Sequence, residues 1–291
     1  MTSLVPLIHL IPTRLGPLHV RDSDGDGPAL LLWHSLFVDG RSFDALLPLL
    51  PKGYRLLCVD GPCHGRSPGP QHRFDLDDCA DAAVQLLDAL AIDRVHWIGN
   101  AWGGHVGAVL ASRPDSPVAS LVAMCSPMQA LTGRLKYVTL VLLYALIGVR
   151  GPVLRGLLDA LLHPDRRADD PALERYVVDV VSSDDRRPML RAMRSVMLGR
   201  KSLIDRLPDV RCPTLFVTAE DPMWTPHVVR AQAEKLPNGH MRVMTGVRHL
   251  PPLEDPTATA EILAEWLADL SLRGVGERPV GLAAPELVEG R

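Results

Sequence analysis

One short stretch of the sequence has the residue types of a tight turn that could present a side chain for chemistry. The apolar run Val95-His96-Trp97-Ile98 leads directly into Gly99-Asn100-Ala101-Trp102-Gly103-Gly104, and a helical pattern follows. A glycine on each side of position 101 suits a sharp turn from strand to helix, because neighbouring backbone must pass close to it. Position 101 itself holds alanine, whose methyl group can neither attack a substrate nor transfer a proton.

Two titratable side chains near the end of the chain are candidates for acid–base chemistry. Asp221 follows the apolar run Thr214 to Thr218, and His249 precedes the last helical pattern. Each has an ordinary alternative when taken alone: Asp221 could cap the helix after Pro222, and His249 could be a surface histidine. Spacing by itself does not decide between these interpretations.

Five motifs in a fixed order give the sequence its resemblance. They are the glycine-flanked turn at 99–103, Leu30-Leu-Leu-Trp-His34-Ser35-Leu36, Asp60-Gly-Pro-Cys-His-Gly65-Arg-Ser67, the strand and loop from Pro213 to Pro226 that contain Asp221, and Gly246-Val-Arg-His249-Leu-Pro-Pro-Leu-Glu-Asp-Pro256. Together they strongly resemble the α/β-hydrolase superfamily of the lidded serine-hydrolase type. The resemblance covers about residues 17 to 270, apart from the stretch 131–211.

The resemblance implies a role for each matching residue. Position 101 corresponds to the serine nucleophile of the G-x-S-x-G turn, His249 to the base that removes its proton, and Asp221 to the carboxylate that orients the imidazole. The backbone N–H groups of Leu36 and Trp102 correspond to the oxyanion hole. No metal and no organic cofactor is implied.

The resemblance also predicts residues around the substrate, with two departures from the family pattern. His34, Ser35, Trp224 and Leu250 are expected to line the substrate pocket. Ser35 stands where the family usually has glycine, directly beside the Leu36 amide. Cys63 replaces a glycine that is common in the Asp60 loop, at a position that we interpret as structural.

Ala101 leaves three hypotheses open. The chain is a serine hydrolase inactivated by a Ser→Ala change, or a natural serine-less enzyme in which Asp221 and His249 act as a dyad (a cofactor-free oxygenase, lyase or cyclase), or a hydrolase-like protein that binds a ligand without catalysis. Branches with an aspartate nucleophile, the haloalkane dehalogenases and epoxide hydrolases, are disfavoured because they need a carboxylate at position 101, although Trp102 is typical of dehalogenases. The expected substrate is a small, largely apolar ester, thioester, lactone or C–C-bond compound.

The elements that must position these residues alternate between strand and helix. Short apolar runs at 18–21, 29–33, 55–59, 95–98, 120–125, 214–218 and 240–244 predict strands, and helical spacing at 75–90, 103–112, 226–235 and 256–270 predicts helices between them. This alternation predicts an α/β fold with a mostly parallel, doubly wound sheet. Residues 131–211 contain helical patches without a good strand candidate.

We therefore predict a core of residues 1–130 and 212–271, an inserted helical lid at 131–211, and a flexible tail at 272–291. The predicted lid carries 15 Lys and Arg against 10 Asp and Glu, whereas the remainder carries 16 against 24. Such an asymmetry would either hold the two parts together or favour an anionic substrate at the mouth of the site.

Composition limits the partners and the compartment. The chain has 291 residues, 47% of them hydrophobic, and a net charge of −3, so disorder and a nucleic-acid partner are both disfavoured. Five cysteines without a CxxC pair indicate reduced thiols, and the N-terminal apolar stretch lacks the basic residues of a signal peptide. The longest apolar run, Val138 to Val149, is too short to span a membrane. We expect a soluble, cytoplasmic protein with a small-molecule substrate and no membrane partner.

Overall fold

A single sheet forms the centre of the molecule in the computed structural model, which describes residues 6–182, 185–221 and 224–275. Within those ranges the strands are β1 (Leu7–Ile11), β2 (Leu18–Asp22), β3 (Ala29–Trp33), β4 (Arg55–Val59), β5 (Val95–Asn100), β6 (Val118–Met124), β7 (Thr214–Thr218) and β8 (Gly239–Val243). Their spatial order is β1-β2-β4-β3-β5-β6-β7-β8.

The sheet is mostly parallel, as the sequence predicted. β2 runs antiparallel to both β1 and β4, and every pairing from β4 across to β8 is parallel. The carboxyl ends of these parallel strands meet at one edge, which is where open α/β sheets bind their ligands.

The inner strands are buried on both faces, which explains their continuous apolar runs. In β3, Leu31 and Trp33 pack into the core on one face of the sheet, while Leu30 and Leu32 pack into the core on the other. Successive side chains of a strand point to opposite faces, so an unbroken run of apolar residues indicates a strand covered on both sides.

Helices lie between these strands along the chain and follow the last of them. In chain order they are α1 (Leu76–Ala89), α2 (Trp102–Ala111), α3 (Arg134–Ile147), α4 (Gly151–Leu161), α5 (Pro164–Asp169), α6 (Pro171–Val181), α7 (Arg187–Ala192), α8 (Pro226–Ala233), α9 (Pro251–Glu254) and α10 (Pro256–Leu272). Local capping interactions define where some of these helices begin. α1 starts at a capping box in which the Asp75 and Asp78 side chains each accept a hydrogen bond from the other's backbone N–H.

The 131–211 segment is helical between β6 and β7. It contains α3 to α7, a π-helical turn at Met193–Met197 and a 3-10 helix at Ile204–Asp209, and its described residues, 131–182 and 185–211, contain no strand. Prolines at the first or second helical position begin α4 to α7, where the missing N–H costs nothing. That this segment is a lid stays a prediction.

The structure differs from the sequence expectations mainly at the ends of the chain. The N-terminal stretch forms the edge strand β1, which the sequence analysis did not predict, because its side chains are mostly exposed and show no core pattern. α10 extends to Leu272, two residues past the predicted end, although Leu272 is exposed and Leu270 is the last residue that the helix buries. Most of the predicted tail, 276–291, lies outside the described residues.

Candidate active site

The turn between β5 and α2 places residue 101 in a strained conformation. Ala101 has φ 47° and ψ −101°, a region that L-residues rarely adopt. The flanking glycines permit this turn: a Cβ at Gly99 would overlap the backbone of Gly103, and a Cβ at Gly103 would overlap the carbonyl oxygen of Trp33. The Ala101 N–H donates a 2.7 Å hydrogen bond to the Met124 carbonyl, which fixes the turn to the end of β6.

The loops after β7 and β8 bring the predicted carboxylate and imidazole together. His249 Nδ1 lies 2.7 Å from Asp221 Oδ2, and the side chains are 11% and 2% exposed. A carboxylate acceptor at Nδ1 means that this nitrogen carries the proton, which leaves Nε2 as the basic nitrogen. His249 and Ala101 line the same cavity.

Two residues that the sequence analysis did not assign to the site hold the His249 loop in place. Asn100 Nδ2 donates to the His249 carbonyl at 3.0 Å, so the residue before the strained turn is bonded directly to the histidine backbone. Glu254 Oε1 accepts from the backbone N–H groups of Arg248 and Leu250, both at 3.0 Å. The sequence offered only the position of Glu254 within the last motif as a signal, and a motif position does not reveal a contact.

The predicted oxyanion donors also lie at the cavity. Leu36 and Trp102 are among its lining residues, together with Ser35. Trp102 is the first residue of α2, so its backbone N–H has no acceptor within that helix. The Gly103 N–H donates to the His34 carbonyl at 3.2 Å and thereby ties the loop of Leu36 to the start of α2.

The cavity has a volume of about 330 Å³ and a mainly apolar lining. One wall comes from the sheet side, and the 131–211 segment supplies the opposite wall. The lining residues of that segment are Leu131, Lys136, Tyr137, Thr139, Leu140, Leu143, Pro152, Val153, Gly156, Leu157, Ala160, Leu161, Val196, Met197 and Arg200. A volume of this size suits a small organic ligand.

Three residues predicted to line the pocket lie elsewhere, starting with His34. Its ring is fully buried, with Nδ1 2.7 Å from the Ser35 carbonyl and Nε2 accepting from the Gly61 N–H at 2.8 Å. Burial lowers the pKa of His34, so the ring is neutral at physiological pH. His34 therefore supports the loop of Leu36 from below and does not face the cavity.

Trp224 and Leu250 are the other two corrections. The Trp224 indole is fully buried, donates to Gln232 Oε1 at 2.8 Å and packs edge-on against Phe216. Leu250 is fully buried in the core behind His249. Both sit beside a predicted catalytic residue in sequence, but their side chains point into the protein, which sequence adjacency does not reveal.

No cysteine faces the cavity as a candidate nucleophile. None of the five cysteines, all of which the structure describes, is among the lining residues. Cys63 is buried with φ 68°, in agreement with its interpretation as a residue in a structural glycine position, and burial raises the pKa of its thiol. A protonated, enclosed thiol is a poor nucleophile.

The described ranges 6–182, 185–221 and 224–275 contain no group of three or more His, Cys, Asp or Glu side chains placed to hold a metal ion. None of the helices in these ranges has both the length and the apolar character needed to cross a bilayer.

A sequence model of the alpha/beta hydrolase family matches residues 30–262, which is most of the chain. The protein therefore belongs to the alpha/beta hydrolase family.

Individual relatives agree with this assignment. An AB hydrolase superfamily protein of Gibberella zeae is 40% identical over 98 residues, a match that spans 33% of this chain and only about a third (34%) of that protein. A thermophilic esterase from Thermogutta terrifontis superposes with a TM-score of 0.80 at 20% identity, over 91% of this chain and 98% of the esterase. The enol-lactonase from Burkholderia xenovorans LB400 gives 0.80 at 18% identity, over 90% and 100%. At these identities the two structures establish a shared fold.

Proposed function

We propose that this chain has the site of a serine-type α/β hydrolase for small, largely apolar esters, thioesters, lactones or C–C-bond substrates, with alanine at the nucleophile position. The observation that carries the proposal is the convergence on one cavity of Ala101, the hydrogen-bonded Asp221–His249 pair and the residues of both candidate oxyanion donors. Relatives by fold include an esterase and an enol-lactonase, which supports these substrate classes.

The backbone strain at Ala101 supports the same proposal. An alanine held at φ 47° and ψ −101° costs about 1–3 kcal/mol relative to a relaxed conformation, and glycine would relieve it. Strain of this kind persists where the surroundings impose it, and at this turn they do so to present residue 101 at the ends of the strands. The strained turn therefore suits a reactive side chain at position 101, although the methyl group of alanine is unreactive.

The mechanism follows from the donors and acceptors around position 101. A serine there would place Oγ in the cavity, His249 Nε2 would take its proton during attack on the acyl carbon, and Asp221 would stabilise the resulting imidazolium. The N–H groups of Leu36 and Trp102 would stabilise the oxyanion. With alanine the attack cannot occur, so this chain retains only the contributions of binding and oxyanion stabilisation to hydrolysis.

Restoring the serine tests the proposal directly. Because the backbone already adopts the strained turn, Ala101→Ser adds only Oγ. We expect hydrolysis of a p-nitrophenyl butyrate, butyryl thioester and γ-lactone panel to rise at least about 10³-fold for one class. The matched control is Ala101→Ser combined with His249→Ala, which should return the rate to the level of the unmodified chain. The proposal would be contradicted if Ala101→Ser hydrolysed none of the substrate classes, or if its rate were unaffected by His249→Ala.

A second candidate function is a serine-less dyad enzyme. The observation that favours it is the intact support of His249, which keeps Nε2 available as a base in a cavity without a nucleophilic partner at position 101. In that case the unmodified chain and Ala101→Ser would turn over the same substrate equally, and His249→Ala alone would abolish turnover. Equal turnover in the first two proteins distinguishes this function from the primary proposal.

A further inference from the structure

Arg200, which follows the π-helical turn of the 131–211 segment, brings a partly buried positive charge to the cavity wall. Its Nη1 lies 2.9 Å from His105 Nε2, and its Nη2 donates to the Gln129 carbonyl at 3.1 Å. Its Nε is shielded from solvent and has no hydrogen-bond partner. Among the described residues, no carboxylate lies within ion-pair distance of this guanidinium.

Three other partly buried arginines each have a carboxylate partner, whereas Arg186 and Arg248 donate to backbone carbonyls. Arg55 pairs with Asp22 at 2.6 Å, Arg21 with Asp44 at 2.6 Å, and Arg206 with Asp77 at 2.8 Å. A buried charge is normally paired, because transfer of an ion from water into a protein interior costs roughly several kcal/mol. Arg200 differs from the first three in lacking a resident carboxylate among the described residues, and from Arg186 and Arg248 in lining the cavity.

The neighbours of Arg200 do not neutralise its charge. Burial lowers the pKa of His105 far below its ordinary value, so the imidazole is neutral. Its Nε2–H donates to the Pro127 carbonyl at 2.9 Å, which leaves Nδ1, 3.4 Å from Arg200 Nη1, as the accepting nitrogen. Burial lowers the pKa of Arg200 itself to about 10, which still leaves it charged at neutral pH. A neutral ring and a carbonyl oxygen are thus the acceptors in place for a full positive charge.

The cavity as a whole also has positive charge without a carboxylate to balance it. Its charged lining residues are Lys136 and Arg200, and no Asp or Glu is among them. Tyr137 lies close enough for the Arg200 charge to oppose the burial that raises the pKa of its hydroxyl. The remaining lining is mostly apolar, so the site combines an apolar body with two cationic side chains.

We propose that Arg200 recognises a carboxylate on the ligand, with the remaining hydrogens of Nη1 and Nη2 as its donors and Lys136 as a second positive charge. The distance from the reaction centre follows from α2, because His105 is one turn beyond Ala101, about 6 Å along the helix. The ligand class is therefore an apolar molecule with a carboxylate a few bonds from the group held at Ala101. The identity of that group as an acyl group rests on the proposed function, whereas the carboxylate subsite does not.

Binding to the unmodified chain tests the subsite without catalysis. Calorimetric titration would compare monomethyl adipate with its uncharged amide, methyl 6-amino-6-oxohexanoate. We expect the carboxylate to bind about 10- to 100-fold more tightly, because hydrogen bonds to charged groups exceed neutral ones by that margin when they are buried. Equal affinities would overturn the proposal, and this result needs no variant that folds.

Variants assign the preference to Arg200. Arg200→Met should bind the carboxylate and the amide with about equal affinity, and Arg200→Lys should keep part of the preference for the carboxylate. The matched control is Arg187→Met, which removes an arginine that is 81% exposed and paired with Asp185, and it should keep the full preference. An undiminished preference in folded Arg200→Met, checked by circular dichroism, would overturn the assignment.

Kinetics in the Ala101→Ser background separate this inference from the proposed function. The ratio of kcat/KM for monomethyl adipate over dimethyl adipate should fall about 10- to 100-fold on Arg200→Met. If Ala101→Ser is inactive while the unmodified chain still prefers the carboxylate, the proposed function fails and the subsite stands. If Ala101→Ser is active and its ratio does not change, the subsite fails and the proposed function stands.

Discussion

The two walls of the cavity differ in what holds their side chains in place. On the sheet side, Ala101, His249 and the loop of Leu36 are fixed through the backbone, by bonds such as Ala101 N–H to Met124 O and Asn100 Nδ2 to His249 O. On the opposite side, α3 buries only Val141 and Tyr144, while Leu135 and Leu146 are 78% and 75% exposed. Position 101 is thus held by backbone bonds to the sheet, whereas α3 on the opposite wall buries few of its side chains.

Several hydrogen bonds connect the two walls. The His249 N–H donates to the Leu161 carbonyl at the end of α4, and Glu254 Oε2 accepts from the His163 N–H at 2.6 Å. Tyr176 of α6 contacts Asp39 at 3.0 Å. The placement of His249 therefore depends on both walls, although its partner Asp221 belongs to the sheet side.

The largest expected effect concerns the sheet side. In the Ala101→Ser background, Asp221→Asn should lower kcat about 10⁴-fold, because the amide stabilises the wrong tautomer of His249 while the geometry stays intact. The measurement is steady-state hydrolysis with the best ester of the panel. Asp209→Asn, an exposed carboxylate outside the site, is the control and should change kcat less than about twofold. A small effect of Asp221→Asn would remove Asp221 from the mechanism.

The same substitution on each wall should change stability in opposite directions. A methyl group at Gly103 would overlap the Trp33 carbonyl, so Gly103→Ala should reduce the free energy of unfolding by about 3 kcal/mol. Gly156 on α4 has nothing within 4 Å of an added Cβ, so Gly156→Ala should raise it by up to about 1 kcal/mol through helix propensity. Urea midpoints measure both. Destabilisation by Gly156→Ala would show that the 131–211 segment is packed as tightly as the sheet side.

A smaller effect is expected where the walls meet. Glu254→Gln replaces an acceptor oxygen by an amide NH₂ facing backbone N–H groups, which should displace the His249 loop. In the Ala101→Ser background we expect kcat to fall about 10-fold with little change in KM. Glu265→Gln, exposed on the neighbouring α10, is the matched control. A loss of thermal stability without any change in kcat would reduce Glu254 to a purely structural residue.

The smallest expected effect is a change in acid stability through Asp39. Burial alone would raise the pKa of Asp39, but hydrogen bonds from Arg41 outweigh it and hold the pKa below its ordinary value. A lowered carboxyl pKa adds stability above the unfolded-state value of about 4, and this stability is lost as pH falls through the lower folded value. Asp39→Asn should cost about 1 kcal/mol at pH 7 and flatten the decline below about pH 4. Asp179→Asn, an exposed carboxylate beside the same Arg41, should leave the acid decline unchanged.

Much of the fold could be predicted because its signals are local. The runs at 29–33, 55–59 and 214–218 coincide with β3, β4 and β7, since strands buried on both faces must be apolar throughout. β1 was not predicted, because an exposed edge strand lacks a continuous apolar run of core residues. The site was predictable only as far as its motifs extend: Ala101, His249 and Leu36 do share a cavity, whereas His34, Trp224 and Leu250 lie behind it.

Local sequence was sufficient for the α/β class, the order of the motifs and the alanine at position 101, because each depends on neighbouring residues or on composition. The contacts between distant side chains required the folded structure. His249 contacts Asp221, which is 28 residues away in sequence, and Arg200 contacts His105, which is 95 residues away. Such contacts are set by the packing of whole helices and loops around the sheet, and a local pattern of residue types does not record where a distant side chain will point.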